Sequence, residues 1–142
     1  MRTVFIDTNI ILDVLLENEG FWQDSLDIFR AVEQGEIRAC VSASSMTDIF
    51  YVARKKLTIL IAREAIAGLL DLFIIIGIDG DDLRQALSLP VSDIEDALQL
   101  WCAIKAKADF FITRDNDGFK DIEIPVISPA EFKEKMRNKD DT

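Results

Sequence analysis

Four aspartates stand next to apolar segments of the sequence: Asp7, Asp48, Asp96 and Asp115. Two carboxylates about 4 Å apart repel by roughly 1 kcal/mol in water and by about 4 kcal/mol at an effective dielectric constant of about 20. A group of four is therefore costly unless some members are protonated or a cation is bound. Mg²⁺ and Mn²⁺ prefer oxygen ligands, and such an ion can activate a water and stabilise the leaving oxygen of a phosphodiester. The pattern predicts a metal-dependent phosphodiesterase.

The composition narrows the chemistry further. The chain contains no histidine, which excludes imidazole bases, histidine-dependent triads and the usual zinc sites. Its formal net charge of −10 argues against broad electrostatic binding to nucleic acid or to an anionic membrane. A polyanionic substrate would therefore need a local feature, such as a bound cation, to overcome this field.

The length of 142 residues is typical of one domain. We expect a single domain over residues 1–136 and a polar, flexible tail over residues 137–142. No apolar run approaches the roughly 20 residues that cross a bilayer, and the first residues lack the pattern of a signal peptide. Cys40 and Cys102 are interpreted as buried thiols in a reducing compartment, with a disulfide as the alternative. Together these features predict a cytoplasmic protein that does not bind membranes.

Short apolar strands alternate with amphipathic helices along the chain. Strands are predicted over residues 3–6, 37–42, 74–78, 109–113 and 124–128. Helices are predicted over residues 9–16, 20–35, 44–56, 59–73, 80–89 and 93–108, and from residue 129 onward. This alternation is typical of an α/β fold with a mainly parallel sheet and helices on both faces.

Several helix starts carry recognisable capping residues. Ser44 or Ser45 is expected to cap the helix after the second strand, and Thr58 the helix that follows. The segments SDIE, from Ser92, and SPAE, from Ser128, have the pattern of capping boxes for the last two helices.

The predicted topology brings the four aspartates to one edge of the sheet. Ligands of open parallel sheets bind beyond the carboxyl ends of the strands. Asp7 ends the first strand and Asp115 follows the fourth. Asp48 lies near the start of the helix after the second strand, and Asp96 near the start of the helix that leads into the fourth. Taken singly, each could instead cap a helix, complement a helix dipole or form a turn.

Helical spacing also predicts the direction of two of these side chains. Asp48 shares a helical face with Val52, and Asp96 shares one with Leu100. We therefore expect both carboxylates to face inward. Glu95 is assigned to the predicted capping box instead.

The segments FIDTNIILD, SSMTDIFYVARK, DIEDALQLWCAIKAKADFFITRD and IPVISPAEF together resemble the PIN domain, particularly the VapC-like toxin ribonucleases. The resemblance covers essentially the whole chain. It implies a three-layer sandwich around a five-stranded, mainly parallel sheet of order 3-2-1-4-5. It also implies a Mg²⁺ or Mn²⁺ site, endonucleolytic cleavage of RNA, a homodimer and a cognate antitoxin as a possible partner.

The resemblance assigns the four acids of the family to residues of this chain. The first, third and fourth acids fall on Asp7, Asp96 and Asp115, which makes them metal ligands and catalytic residues. The second acid of the family is commonly Glu, whereas Asp48 stands at this position and is one methylene shorter. The resemblance implies that Asp48 too is a metal ligand and a catalytic residue.

Three further residues are expected to support the site. Asn9 matches the residue that braces the first acid of the family, and Thr113 matches the hydroxyl residue before the fourth. Arg114 adjoins a proposed ligand and is a candidate clamp for phosphate. An additional acid often precedes the Phe of the following turn, but Gly118 occupies that place here and Asp117 stands one step early. A fifth ligand or a second metal therefore stays open.

Two other functions are compatible with the sequence. The first is a non-catalytic PIN-fold dimer that binds RNA or a protein. An antitoxin would then insert an Arg or Lys into the carboxylates, since that neutralises them as a metal would. The second is phosphoryl transfer to an aspartate. Phosphatases of the haloacid-dehalogenase type need a second Asp where this chain has Asn9, and receiver domains need a Lys after the fifth strand, where this chain continues VISPAE.

Overall fold

Five strands form one parallel sheet in the computed structural model, which describes residues 1–115, 117–119 and 122–138. The sheet has the order β3-β2-β1-β4-β5, as the family resemblance implies. The strands are β1 (Arg2–Ile6), β2 (Ile37–Ser42), β3 (Ile74–Ile76), β4 (Phe110–Ile112) and β5 (Val126–Ile127).

Helices connect and cover the strands, and each predicted helix is found within the described residues. They are α1 (Thr8–Leu15), α2 (Trp22–Glu33), α3 (Ala43–Lys56), α4 (Ile59–Leu72), α5 (Gly80–Leu87), α6 (Ile94–Lys105) and α7 (Pro129–Asn138). Residues 139–142 of the predicted tail lie outside the described residues. None of the described helices is both long and apolar enough to cross a membrane.

Alternate residues of the strands contribute side chains to two separate hydrophobic cores, one on each face of the sheet. Val4 and Ile6 of β1 are fully buried on the face that packs against α1 and α2. Phe5 between them is buried on the opposite face, where α6 lies, and it stacks on Phe111 of β4 with ring centroids 5.5 Å apart. Burial on both faces is the usual state of a parallel sheet, and it fixes the register that aligns the carboxyl ends of the strands.

Both cysteines lie in these cores. Cys40 and Cys102 are buried free thiols, as the sequence predicts. The disulfide alternative is therefore wrong.

The predicted cap of α3 is wrong by two or three residues. Ser42, the last residue of β2, is the N-cap, and its Oγ accepts a hydrogen bond from the Ser44 N–H at 3.2 Å. The reason is that the helix begins directly at the end of the strand, with no intervening loop. Ser44 and Ser45 are therefore already helical.

The capping box predicted at the start of α6 is also wrong. Asp93 is the N-cap, and its Oδ1 accepts a hydrogen bond from the Asp96 N–H at 2.9 Å. The helix begins one residue later than the SDIE pattern indicates, and a carboxylate is an equally good N-cap. Ser92 therefore has no capping role, and Glu95 is free for other contacts.

The other two predicted caps are confirmed. Thr58 Oγ1 accepts a hydrogen bond from the Ile61 N–H at 3.1 Å. Ser128 and Glu131 form a reciprocal box, with N–H to side-chain distances of 3.1 and 3.2 Å.

Candidate active site

Asp7 joins β1 to α1 and is only 4 % exposed. Its N–H donates to the Ile112 carbonyl at 3.0 Å, which holds it at the carboxyl edge of the sheet. Its side chain does not cap α1. A helix cap is therefore not the reason for this buried carboxylate.

The hydroxyl of Thr113 joins the ends of two neighbouring strands. It donates to Asp7 Oδ2 at 2.7 Å and accepts from the Asp115 N–H at 3.2 Å. Asn9, the predicted brace, is exposed and makes no hydrogen bond to Asp7 among the described residues. The contact that orients Asp7 is therefore made by Thr113.

A second buried network fixes the start of α1 against α6 and α3. Gln99 Oε1 accepts from the Thr8 N–H at 3.1 Å, and Thr8 Oγ1 donates to Ser45 Oγ at 2.7 Å. All three residues are buried, Gln99 with 2 % exposure. They connect the helices that carry Asp96 and Asp48 to the residue after Asp7. Sequence reasoning missed this network, although a glutamine on the apolar side of α6 was a signal.

Asp96 lies in the first turn of α6 and is half-buried. Burial, together with the charges of Asp93, Asp7 and Asp115, raises its pKa to about 6. Asp7, Asp93 and Asp115 therefore lie close enough to Asp96 for their charges to disfavour its ionisation. That Asp7, Asp96 and Asp115 form one metal site stays a prediction.

Asp48 is exposed on α3, so the prediction that it faces inward is wrong. Its neighbour Val52 is also exposed, by 38 %. The physical reason is that the buried side of this part of α3 is formed instead by Ser45, Met46, Ile49 and Ala53. Asp48 still adjoins the other acids, because its side chain lies within hydrogen-bonding distance of the Glu95 carboxyl.

Glu95 is a member of the acidic group that sequence reasoning missed. Its hydrogen bond to Asp48, burial, and the charges of Asp48, Asp93 and Asp96 raise its pKa to about 7. The sequence pattern assigned the Glu95 side chain to a capping box that is not formed. Glu95 was therefore not counted among the acids of the site.

The turn after β4 brings Gly118 next to the acids. A Cβ atom at Gly118 would lie 3.9 Å from Asp96 Oδ2, an ordinary van der Waals contact. Asp117 donates its N–H to Asp115 Oδ1 at 3.3 Å. The position at which the family often has another acid therefore borders the site and has room for a side chain.

The Arg114 side chain contacts α1 and the residue before α2. Its Nε lies 3.0 Å from Asp13 Oδ2 without hydrogen-bond alignment, and its guanidinium carbon lies 4.3 Å from the centroid of the Phe21 ring. Asp13 is fully buried and accepts a hydrogen bond from the Asn18 amide at 2.9 Å. Sequence reasoning missed Asp13, a charge inside the apolar run NIILDVLL.

The donor set fits a hard divalent cation in chemistry. Asp7, Asp96 and Asp115 offer oxygen ligands only. Burial first, and then the neighbouring negative charges, raise the pKa of Asp96, and a bound cation would offset both costs. Among the described residues, however, no three acidic or thiol side chains already stand together in a metal-binding arrangement. The residues that would hold an ion are thus present at this edge of the sheet, but in the described residues their side chains do not form a ready-made ion site.

Comparisons with known proteins bear on the family and the fold of the chain. A family model described as the PIN domain matches residues 3–117. No curated protein matches the chain.

Solved structures share the fold at low sequence identity. A toxin–antitoxin complex from Klebsiella pneumoniae is 23 % identical, with a TM-score of 0.67 over 89 % of this chain and 97 % of that one. DNA-bound VapBC from Salmonella typhimurium is 16 % identical, with a TM-score of 0.67 over 91 % and 99 %. A Sarcin-Ricin-loop-cleaving VapC toxin from Mycobacterium tuberculosis is 13 % identical, with a TM-score of 0.64 over 80 % and 91 %.

Proposed function

The chain belongs to the PIN domain family, and from this membership we propose that it is a Mg²⁺- or Mn²⁺-dependent endoribonuclease and the toxin of a toxin–antitoxin pair. The observation that carries the proposal is that Asp7 and Asp115 lie within electrostatic range of the half-buried Asp96 at one edge of the sheet, with Thr113 bonded to both of them. Structural caps alone would not require Asp7 and Asp115 to stand within electrostatic range of a half-buried third carboxyl, Asp96.

Each residue of the proposed site has a distinct task. Asp7, Asp96 and Asp115 would hold the metal, and Asp48 borders them through Glu95. Thr113 fixes one oxygen of Asp7, which leaves the other free for a ligand. When bound, the metal supplies Lewis-acid chemistry, which lowers the pKa of an attacking water and neutralises charge at the leaving oxygen.

The proposed partners follow from the family and from the similar solved structures. The Mycobacterium tuberculosis toxin cleaves the Sarcin-Ricin loop, and the Klebsiella pneumoniae structure is a toxin–antitoxin complex. We extend both to this chain as an RNA substrate and a cognate antitoxin, and we also expect a homodimer. The buried free thiols of Cys40 and Cys102 are compatible with the cytoplasm as its compartment.

Cleavage of a mixed pool of structured RNAs in Mn²⁺ tests the function. Wild type should cleave, whereas Asp96→Asn should not. Asp71→Asn removes the same charge from an exposed position of α4 and should cleave like wild type. Equal cleavage by wild type and Asp96→Asn would contradict the site assignment.

A second candidate is a PIN-fold binding module without catalysis. The observation in its favour is that the acidic side chains are not gathered for a metal in the described structure. Calorimetric titration with Mn²⁺ separates the two functions. Absence of both metal binding and cleavage would favour the module, whereas metal binding that Asp96→Asn abolishes would favour the nuclease.

A further inference from the structure

Arg114 is held beside the candidate site by groups that the catalytic proposal does not use. It lies between Thr113 and Asp115 in sequence, so its backbone belongs to the carboxyl edge of the sheet. Its side chain is 37 % exposed, with Nε 3.0 Å from Asp13 and the guanidinium carbon 4.3 Å from the Phe21 ring centroid. The side chain is thus oriented by two contacts and still open to solvent.

Asp13 explains why the guanidinium stays in this position. Its carboxylate is fully buried, and a buried charge is costly unless it is paired. The Asn18 amide bonds Oδ1 at 2.9 Å, while Oδ2 faces Arg114 and has no aligned hydrogen bond. Arg114 therefore supplies the compensating charge, and the Phe21 ring adds a cation–π contact.

The guanidinium keeps its capacity to recognise an anion. It has five N–H donors in a planar fork that matches two oxygens of a phosphate. Within residues 1–115, 117–119 and 122–138, no side-chain hydrogen bond of Arg114 is formed. In a purely structural ion pair, the guanidinium ordinarily donates two parallel hydrogen bonds to its carboxylate. Arg114 differs, because it is paired by charge while its N–H donors stay unused among the described residues.

A cavity of about 260 Å³ adjoins this side chain. Its wall includes Phe21, Asp24, Ser25, Arg114, Ser128 and Pro129. A water molecule occupies about 30 Å³ of liquid, so the cavity has room for a group much larger than a single water. Lys133 Nζ lies 3.7 Å from Asp24, although it is closer to Asp27, at 2.9 Å.

We propose that Arg114 binds the phosphate of a nucleotide adjoining the cleaved phosphodiester, and that the neighbouring cavity receives that part of the RNA. Asp13 and Phe21 are positioning residues that hold the guanidinium for this contact. The inference rests on the proposed ribonuclease function, since it names a substrate subsite next to the same acids.

Binding of a short, fluorescein-labelled, single-stranded RNA of mixed sequence tests the subsite without requiring cleavage. Fluorescence anisotropy is measured in EDTA over a series of NaCl concentrations. Arg114→Gln should weaken binding about tenfold, and should lower the slope of log affinity against log salt by about 0.7. Arg114→Lys should restore the slope but only part of the affinity, since lysine lacks the fork.

Arg84→Gln is the matched control. Arg84 pairs with exposed Asp81 on α5, and its side chain is 78 % exposed. This variant should bind RNA like wild type. Equal weakening by Arg84→Gln and Arg114→Gln would overturn the inference, since net charge alone would then account for the loss. Wild-type affinity and slope in Arg114→Gln, or no binding by wild type, would overturn it as well.

Two further variants test the positioning role. Phe21→Leu changes a residue that is 45 % exposed, so it should fold even if Asp13→Asn does not. Phe21→Leu and Asp13→Asn should each raise the Kd for the labelled RNA about threefold or more. In cleavage assays with Mn²⁺, each should raise KM and leave kcat unchanged. If both variants lower the Tm but leave the Kd for RNA unchanged, Asp13 and Phe21 have only structural roles, and the proposed positioning role is wrong.

The two proposals fail separately. If wild type does not cleave RNA but Arg114→Gln still weakens binding, the ribonuclease function is wrong and the phosphate subsite stands. If wild type cleaves and Arg114→Gln binds and cleaves like wild type, only the subsite is wrong.

Discussion

Replacing Asp96 by asparagine should stabilise the protein in a way that depends on pH. Burial and the charges of Asp93, Asp7 and Asp115 raise the pKa of Asp96 to about 6, from an ordinary value of 3.8. The folded protein therefore holds this proton more tightly than the unfolded chain does. Ionisation costs stability, and the cost is absent below about pH 4, grows toward about pH 6 and is complete above it.

The size of the effect follows from the same pKa. A rise from 3.8 to about 6 corresponds to roughly 3 kcal/mol, at about 1.36 kcal/mol per pKa unit. Because Asp96 is only half-buried, solvent screening reduces this to about 1–1.5 kcal/mol. Asparagine avoids this cost and keeps the backbone N–H that bonds Asp93. For a domain of this size we expect the Tm to rise by about 3–5 °C at neutral pH.

Thermal unfolding followed by circular dichroism checks this prediction. Wild type and Asp96→Asn are compared in EDTA at about pH 4 and about pH 7.5, which lie on either side of the raised pKa. The advantage of Asp96→Asn should be present only at the higher pH. Asp71→Asn, which removes an exposed charge on α4, should show no such dependence. A variant less stable than wild type at both pH values would refute the reasoning and make Asp96 a structural acid.

Three more outcomes are expected. Mn²⁺ should raise the Tm of wild type but not of Asp7→Asn, as scanning fluorimetry can show; an equal rise would remove Asp7 from the metal site. Gly118→Asp adds a carboxylate next to Asp96, so it should lower the Tm in EDTA and enlarge the rise with Mn²⁺. Gln99→Leu leaves the buried Thr8 N–H unpaired and should cost about 1–3 kcal/mol in urea unfolding; no loss would mean that water or another acceptor replaces Gln99.

Local sequence patterns were sufficient to predict most of the secondary structure. Alternating apolar strands and amphipathic helices located each of the described elements, because burial on both faces of a parallel sheet requires short apolar runs. The strand order came from the family resemblance and not from composition. The caps of α3 and α6 were misplaced by one to three residues, since serine and aspartate cap equally well and several stand side by side at each helix start.

For the candidate site, too, the sequence predicted some features and not others. Asp7, Asp96 and Asp115 could be selected from the sequence, since strand ends and helix starts of a parallel sheet meet at one edge. Asp48 was assigned the wrong direction, because helical spacing gives the faces of a helix but not which face the rest of the protein covers.

The sequence alone determined the fold class, and it predicted an oxygen-only site that includes Asp7, Asp96 and Asp115. Only the tertiary structure decided that Thr113 orients Asp7, that Glu95 joins Asp48, and that Arg114 pairs with a buried Asp13. The reason is physical: these contacts join residues far apart in the chain or turned toward each other by packing. Helix or strand propensity and hydrophobic periodicity each describe one segment of the chain. The direction of a side chain and its pKa depend instead on the residues that other segments place beside it.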